Sequence, residues 1–198
     1  NFEKIDINKL PELEQYMLHK ISVLNEKFQK NFESYNFHNL YKELLIFCTV
    51  DLSSFYFDIR KDCLYCDSKD SQKRKDCINV LNIILDCLLK WFAPILSFTT
   101  EEIFRLLSKD KESSIHLKKF PIIPSNWNNK IIEKNWAKLI KIRNEVNASI
   151  EMKRADKLIG SSLEASIKIK LGDNYYDLAN KYDFSEICIT STADVSLD

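Results

Sequence analysis

The sequence predicts a mainly α-helical fold, a bundle followed by a small β-α-β appendage. Three observations carry that expectation. Only two glycines and four prolines punctuate 198 residues, which favours helices over a many-stranded sandwich. Apolar side chains recur at helical spacing through most of the chain before Gly160. Beyond Gly160 the texture changes to alternation of apolar and polar residues, the pattern of a half-buried strand.

The elements follow in order. Residues 10–32 place Leu10, Leu13, Met17, Ile21, Leu24 and Phe28 on one helical face. Asn36 can cap a second helix, whose stripe reads Phe37, Leu40, Tyr41, Leu44, Cys48, Leu52 and Phe55. A polar break is expected over residues 63–71, then a third helix from Gln72 to Trp91. Its inward set is Cys77, Val80, Leu81, Ile84, Leu85 and Leu88, and Pro94 ends or kinks it. Thr99 with Glu102 reads as a capping box for a fourth helix through Leu107. Residues 108–126, with Pro121 and Pro124, should form an irregular connection, and a long fifth helix spans about 128–156. Each helix offers one apolar stripe that only a neighbour can bury, so they should form a bundle. Strands are expected at Ala165–Leu171 and Glu186–Thr192, with a short helix over Gly172–Tyr182 between them. The division this predicts is a bundle over 1–158 and a small α/β piece over 159–198, too small to stand alone.

Composition bounds the function. There are 29 basic and 29 acidic residues, so the chain is neutral overall. A nucleic-acid-binding chain usually carries a positive excess, and here it would need a local basic face offset elsewhere. Six cysteines are scattered through helical patterns and one loop. With no signal peptide at the start and no apolar run near the ~18–20 residues of a membrane span, they read as buried thiols in a reducing compartment.

Two basic clusters stand out. The fifth helix and its exit hold Lys130, Lys134, Lys138, Lys141, Arg143, Lys153, Arg154 and Lys157 against four acids. The other surrounds the turn after the second helix: Arg60, Lys61, Lys69, Lys73, Arg74 and Lys75, with Tyr65 among them. Cations meet phosphates, and unpaired bases stack on aromatic rings or guanidinium planes. The plainer reading of either cluster is a solvated helix face. Arg143 is peculiar, since it falls on the same face as Trp136, Leu139, Ile140, Val146 and Ile150. A guanidinium there requires a partner. Asp51, central in the stripe of the second helix, is the expected one; the alternative is an RNA-facing groove. Cys63-Leu64-Tyr65-Cys66 is a CxxC without the second pair of ligands that a zinc site wants. Catalytic signatures are lacking: no Gly-rich phosphate loop, GxSxG or HExxH occurs.

Five ordered segments carry a family resemblance. Tyr35-Asn36-Phe37-His38-Asn39, followed by the run from Phe47 to Asp58, resembles the start of the anticodon-binding bundle of isoleucyl-tRNA synthetases. Lys61-Asp62-Cys63-Leu64-Tyr65-Cys66-Asp67 is similar to the family's KDRLYCD segment, and Ala93 to Ile103 to its APILSFTAEEIW helix start. Ser114 to Pro121 resembles the SVHL…FP connection, and Arg143 to Ala165 the RxxVN…K.IG.SLEA run. Together they reach from about residue 16 to 195. Valyl and leucyl enzymes share the scaffold, and VDLSSFY, LYCD and IGSSLEA favour the isoleucyl branch. Two positions depart: Cys63 replaces the family's arginine and Phe104 its usual tryptophan, whereas Arg154 and Lys157 match its basic pair.

The resemblance implies a domain that binds the anticodon stem-loop of tRNA-Ile and catalyses nothing itself. The parent enzyme would join isoleucine to tRNA-Ile, using ATP with Mg2+ on a catalytic domain and correcting errors on an editing domain of the same polypeptide. The family's C-terminal zinc module is not expected within these residues, and neither cofactor nor metal is expected on this chain. A cytoplasmic monomer with no membrane contact is implied. Candidate RNA contacts are Arg60, Lys61, Tyr65, Lys73, Arg74, Lys141, Arg143 and Arg154. The competing expectation is a structural or protein-interaction bundle with no RNA role.

Overall fold

A computed structural model describes residues 5–110 and 112–198. Lys111, inside the expected irregular connection, lies outside them. The fold is mainly α with one small parallel sheet, as the residue patterns predict. It divides into two compact units, Asn1–Asn129 and Lys130–Asp198.

In the first unit, α1 (Glu12–Glu33) starts behind Pro11 and carries Glu12 and Glu14 in its first turn, where carboxylates complement the helix dipole. Its buried stripe includes the expected Leu13, Met17, Ile21, Leu24 and Phe28. Asn36 caps α2 (Phe37–Ile46), its side chain accepting from the Asn39 N–H. The helix then widens into a π-helical segment (Phe47–Phe57) and tightens again as α3 (Asp58–Cys66). Ser54 Oγ donates to the carbonyl of Thr49, five residues back, at 3.0 Å. The wider turn changes the stripe: Phe47 and Leu52, five apart, are buried, and Cys48 is only half-buried. A uniform 3.6-residue spacing could not anticipate that. Ion pairs fix α1 antiparallel to this long element: Lys27 meets Glu43 at 2.8 Å, Lys20 meets Asp51 at 3.0 Å, and Glu14 meets Arg60 at 2.7 Å.

Helix α3 continues through Cys66, so the expected break shrinks to residues 67–71. Ser71 caps α4 (Gln72–Phe92), and Pro94 follows its end. Helix α5 (Ser97–Leu107) begins two residues before Thr99, so no capping box forms; Thr100 instead donates its hydroxyl to the carbonyl of Leu96 at 3.0 Å. Glu101 latches α5 to the turn at Ile115–Leu117. One of its oxygens takes Arg105 Nε at 2.7 Å, and the other takes Ser114 Oγ at 2.8 Å and the Ile115 N–H at 3.0 Å.

In the second unit, α6 (Lys130–Ala155) packs with α7 (Asp173–Ala179) and α8 (Phe184–Cys188). The compact division therefore falls before the long helix rather than after it. Strand β1 (Ser166–Leu171) pairs in parallel with β2 (Thr192–Leu197), Ser166 opposite Thr192. The stretch expected to be the second strand is helical at its start. Asp183 accepts from the N–H groups of Ser185 and Glu186, which nucleates α8 over Ile187. The strand begins only at Thr192.

Helices α1, α6 and α8 all end alike. Tyr35, Lys157 and Ile189 take positive φ (56°, 58° and 57°), the left-handed conformation usually left to glycine. After α1 and α6 the two closing hydrogen bonds of a Schellman motif are in place: Asn36 N–H to Asn31 and Tyr35 N–H to Phe32, then Leu158 N–H to Lys153 and Lys157 N–H to Arg154. Each side chain there costs roughly 1–2 kcal/mol in backbone strain. Both glycines lie elsewhere, at negative φ.

Candidate nucleic-acid interface

The corner between α3 and α4 gathers four of the predicted contacts. Tyr65, on the last turn of α3, is 88% exposed. Arg74 donates Nε to the carbonyl of Leu64 at 3.0 Å, which pins its guanidinium beside that turn. Lys61 is exposed, with Nζ 3.7 Å from Asp58, and Lys73 is half-buried on the first turn of α4. Lys75 lies 3.7 Å from Asp70. Such long, exposed pairs are weak, and a phosphate can compete for their lysines. Ser71 holds the corner by taking the Arg74 N–H at 3.4 Å while donating its hydroxyl to Asp67 at 3.1 Å. Asp58, Asp62, Asp67, Asp70 and Asp76 are interleaved with the cations. The corner thus offers an aromatic ring and ammonium groups interleaved with carboxylates.

Arg60 does not belong to that surface. It is 4% exposed and donates Nε and Nη2 to the two carboxylate oxygens of Glu14, both at 2.7 Å. Glu14 is fully buried, and the Tyr56 hydroxyl donates to it at 3.1 Å. Burial, and then the charge of Glu14, push the Tyr56 hydroxyl far above its ordinary pKa. Arg60 sits on the α3 face that meets α1, while Lys61 faces solvent. The sequence sign of this pair is Glu14 itself, a carboxylate beside Leu13 and Met17 within the apolar stripe of α1.

On α6, Lys134, Lys138 and Lys141 are exposed. Lys138 is the one held in place, donating to the Asn174 carbonyl at 3.3 Å with its ammonium 5.6 Å from the Tyr175 ring centre. Arg154 is exposed and bonds Glu151 at 2.7 Å. With Lys157 and Gly160 these two line an open depression of about 500 Å³. Lys141 and Arg154 lie thirteen residues apart on the helix, roughly 20 Å.

Arg143 is buried as expected, 8% exposed, but Asp51 is not its partner. Asp51 pairs with Lys20, and Arg143 donates Nε to the carbonyl of Ile187 at 2.9 Å. Carbonyls of a last helical turn have no partner inside the helix, and a guanidinium supplies one. Arg143 thus meets the end of α8 rather than Asp51.

The two thiols of the CxxC part company. Cys63 is buried, and burial together with a hydrogen bond to Asp67 raises its pKa to about 11; Cys66 is exposed on the last turn of α3. They lie on a helix and not on the loop expected there. Among the described residues no three His, Cys, Asp or Glu side chains gather as a metal site would require. No described helix is long and apolar enough to cross a membrane.

Residues 14–169 match the family model described as the anticodon-binding domain of tRNA ligase. Curated relatives include isoleucine–tRNA ligases from Pelagibacter ubique, 61% identical over 193 residues, and from Agrobacterium fabrum, 43% identical over 196; each alignment takes in 98% of this chain. A third, from Mesorhizobium japonicum, is 40% identical over 191 residues, 96% of the chain. The chain spans about a fifth of the length of these relatives, 21%, 20% and 19% respectively. The resemblance read from the ordered motifs is borne out.

Proposed function

The chain belongs to the anticodon-binding domain family of tRNA ligases, and from that premise we propose that it grips the anticodon stem-loop of tRNA-Ile as part of an isoleucine–tRNA ligase. The observation that carries the reading is the α3–α4 corner: a Tyr65 ring 88% exposed, with Lys61, Lys73 and the pinned Arg74 around it. An exposed ring at the surface of a folded bundle suits an unstacked base, and the lysines suit the phosphates that flank it. In the second unit Lys141 and Arg154 supply further phosphate contacts. Arg60 and Arg143 act from the interior, holding the elements that present those side chains.

The chain contributes binding and not chemistry. Activation of isoleucine by ATP with Mg2+, and correction of errors, fall to catalytic and editing domains of the same polypeptide, working in the cytoplasm as a monomer. Nothing in these residues has the Gly-rich or paired motifs that would hold a nucleotide's phosphates. Functionally, residues 1–158 do the gripping and 159–198 form the junction, although the long helix packs with the latter.

Titrating the labelled stem-loop into the purified chain at two salt concentrations tests this. Four or five phosphate contacts give a log–log salt slope of about −3 to −4. Tyr65→Ala should weaken binding by about 1–3 kcal/mol without changing that slope. Binding that is indifferent to salt and to Tyr65 would return the chain to a purely structural or protein-interaction role.

A further inference from the structure

The second unit carries an unfinished sheet beside a groove. Among the described residues strand β1 has one neighbour, β2. The Asp198 N–H donates to the Leu171 carbonyl at 3.0 Å, so Leu171 turns its backbone groups towards β2. The two-residue alternation of a parallel pair then turns those of Ile167 and Ile169 the same way. Ser166, Lys168 and Lys170 point their N–H and C=O groups outward, three donors and three acceptors along one edge. Along that edge runs a groove of about 540 Å³ whose opposite wall is one face of α6. A further cavity of about 270 Å³ extends it and shares Glu145, Val146, Ile169 and Lys170. No residue of β2 lines either. The floor is apolar, from Ile142, Val146, Ile150 and Ile169; the rim carries Lys141, Lys153, Lys168 and Lys170 against Glu145 and Glu164. Glu164 is already engaged, accepting the Gly160 N–H at 3.0 Å.

We propose that this edge is a docking site for an extended peptide strand from outside these 198 residues, one that alternates apolar with acidic side chains. It adds to the sheet as a third strand beside β1. Three features select that occupant. A row of outward backbone donors and acceptors is matched by another extended backbone. An apolar floor takes every second side chain, and a rim with four lysines favours carboxylates on the rest. A second copy of this chain is the poorer fit, because pairing β1 with itself sets Lys168 and Lys170 among their own counterparts.

The experiment uses the whole chain and a fluorescent peptide of about eight residues alternating valine and glutamate, long enough to run the length of β1. Anisotropy should show saturable binding. The same peptide N-methylated at two edge-facing positions loses two backbone hydrogen bonds and should bind about tenfold more weakly. A valine–lysine peptide should be weaker still. Lys168→Pro removes one outward N–H that the β1–β2 ladder does not use, and should weaken binding with an unchanged circular dichroism spectrum. Should that variant unfold, reversing the rim with Lys168→Glu and Lys170→Glu gives the same test through charge. No saturable binding, equal binding of the N-methylated peptide, or a dimer of the chain that excludes peptide would each overturn the proposal.

Discussion

The two units each bury one arginine, and the two are satisfied in different ways. In the first, Arg60 forks onto Glu14, a carboxylate with no exposure at all, and Tyr56 donates to the same group. In the second, Arg143 donates to a main-chain carbonyl at the end of α8. Arg60 answers a full charge on another helix; Arg143 completes the end of a short helix in its own neighbourhood. Removing the partner from the first site strands a charge in the interior, and removing the arginine from the second takes the guanidinium donor from the Ile187 carbonyl. Both arginines are candidates by sequence to touch RNA, and both are buried.

The largest expected effect therefore lies at the first site. Glu14→Ala should cost about 3–5 kcal/mol, because it leaves Arg60 buried without its carboxylate. A urea midpoint shows it, and the double change Glu14→Leu with Arg60→Met should recover most of the loss. A single mutant that melts like the parent would mean that water reaches the pair. Arg143→Ala comes next, at about 1–3 kcal/mol. Hydrogen exchange should place that loss in α8 and β2. Should exchange rise instead around Asp51, the original expectation of an Arg143–Asp51 pair would be restored.

A stabilising change sharpens the same contrast between strain and capping. Lys157 is exposed and holds positive φ where glycine carries no penalty. Lys157→Gly should raise stability by about 0.5–1 kcal/mol, the strain relieved less the added freedom of the unfolded chain. A fall in the melting temperature would show that the lysine side chain has a role of its own there.

The smallest effect is one of pH. Hydrogen bonds from Arg105, then from Ser114, and one from the Ile115 N–H hold the Glu101 pKa at about 2. Its pKa in the folded chain is depressed, so the stability it lends is present above the unfolded carboxylate range and disappears as pH falls towards 2. The amide resonance of Ile115 should report that titration. A midpoint near 4 would mean that the latch between α5 and the following turn is open in solution.

Much of this was legible in the residues where the signal is local. Asn36 capped the helix it was expected to cap, Pro94 followed the end of α4, and Ser166 to Leu171 formed the strand its alternation described. What escaped depended on another element or another periodicity. The wide turns from Phe47 to Phe57 moved Phe47 inward in place of Cys48. Asp183 turned Phe184–Cys188 into helix, against the alternating pattern that follows it. At the candidate site, the exposed Tyr65 could be anticipated from its place among lysines. The fate of Arg60 is set by Glu14 forty-six residues earlier, and its one local sign is a carboxylate within the apolar stripe of α1.

In the proposed role, the corner around Tyr65 meets the anticodon loop. The most direct test compares the affinity of the chain for the tRNA-Ile stem-loop with that for the same stem carrying an unrelated anticodon, at two salt concentrations. A preference of about tenfold or more that survives added salt is expected, since each base read on its edge discriminates by about 1–3 kcal/mol. Equal affinity for the two stem-loops, falling together with salt, would contradict it and leave only an electrostatic clamp.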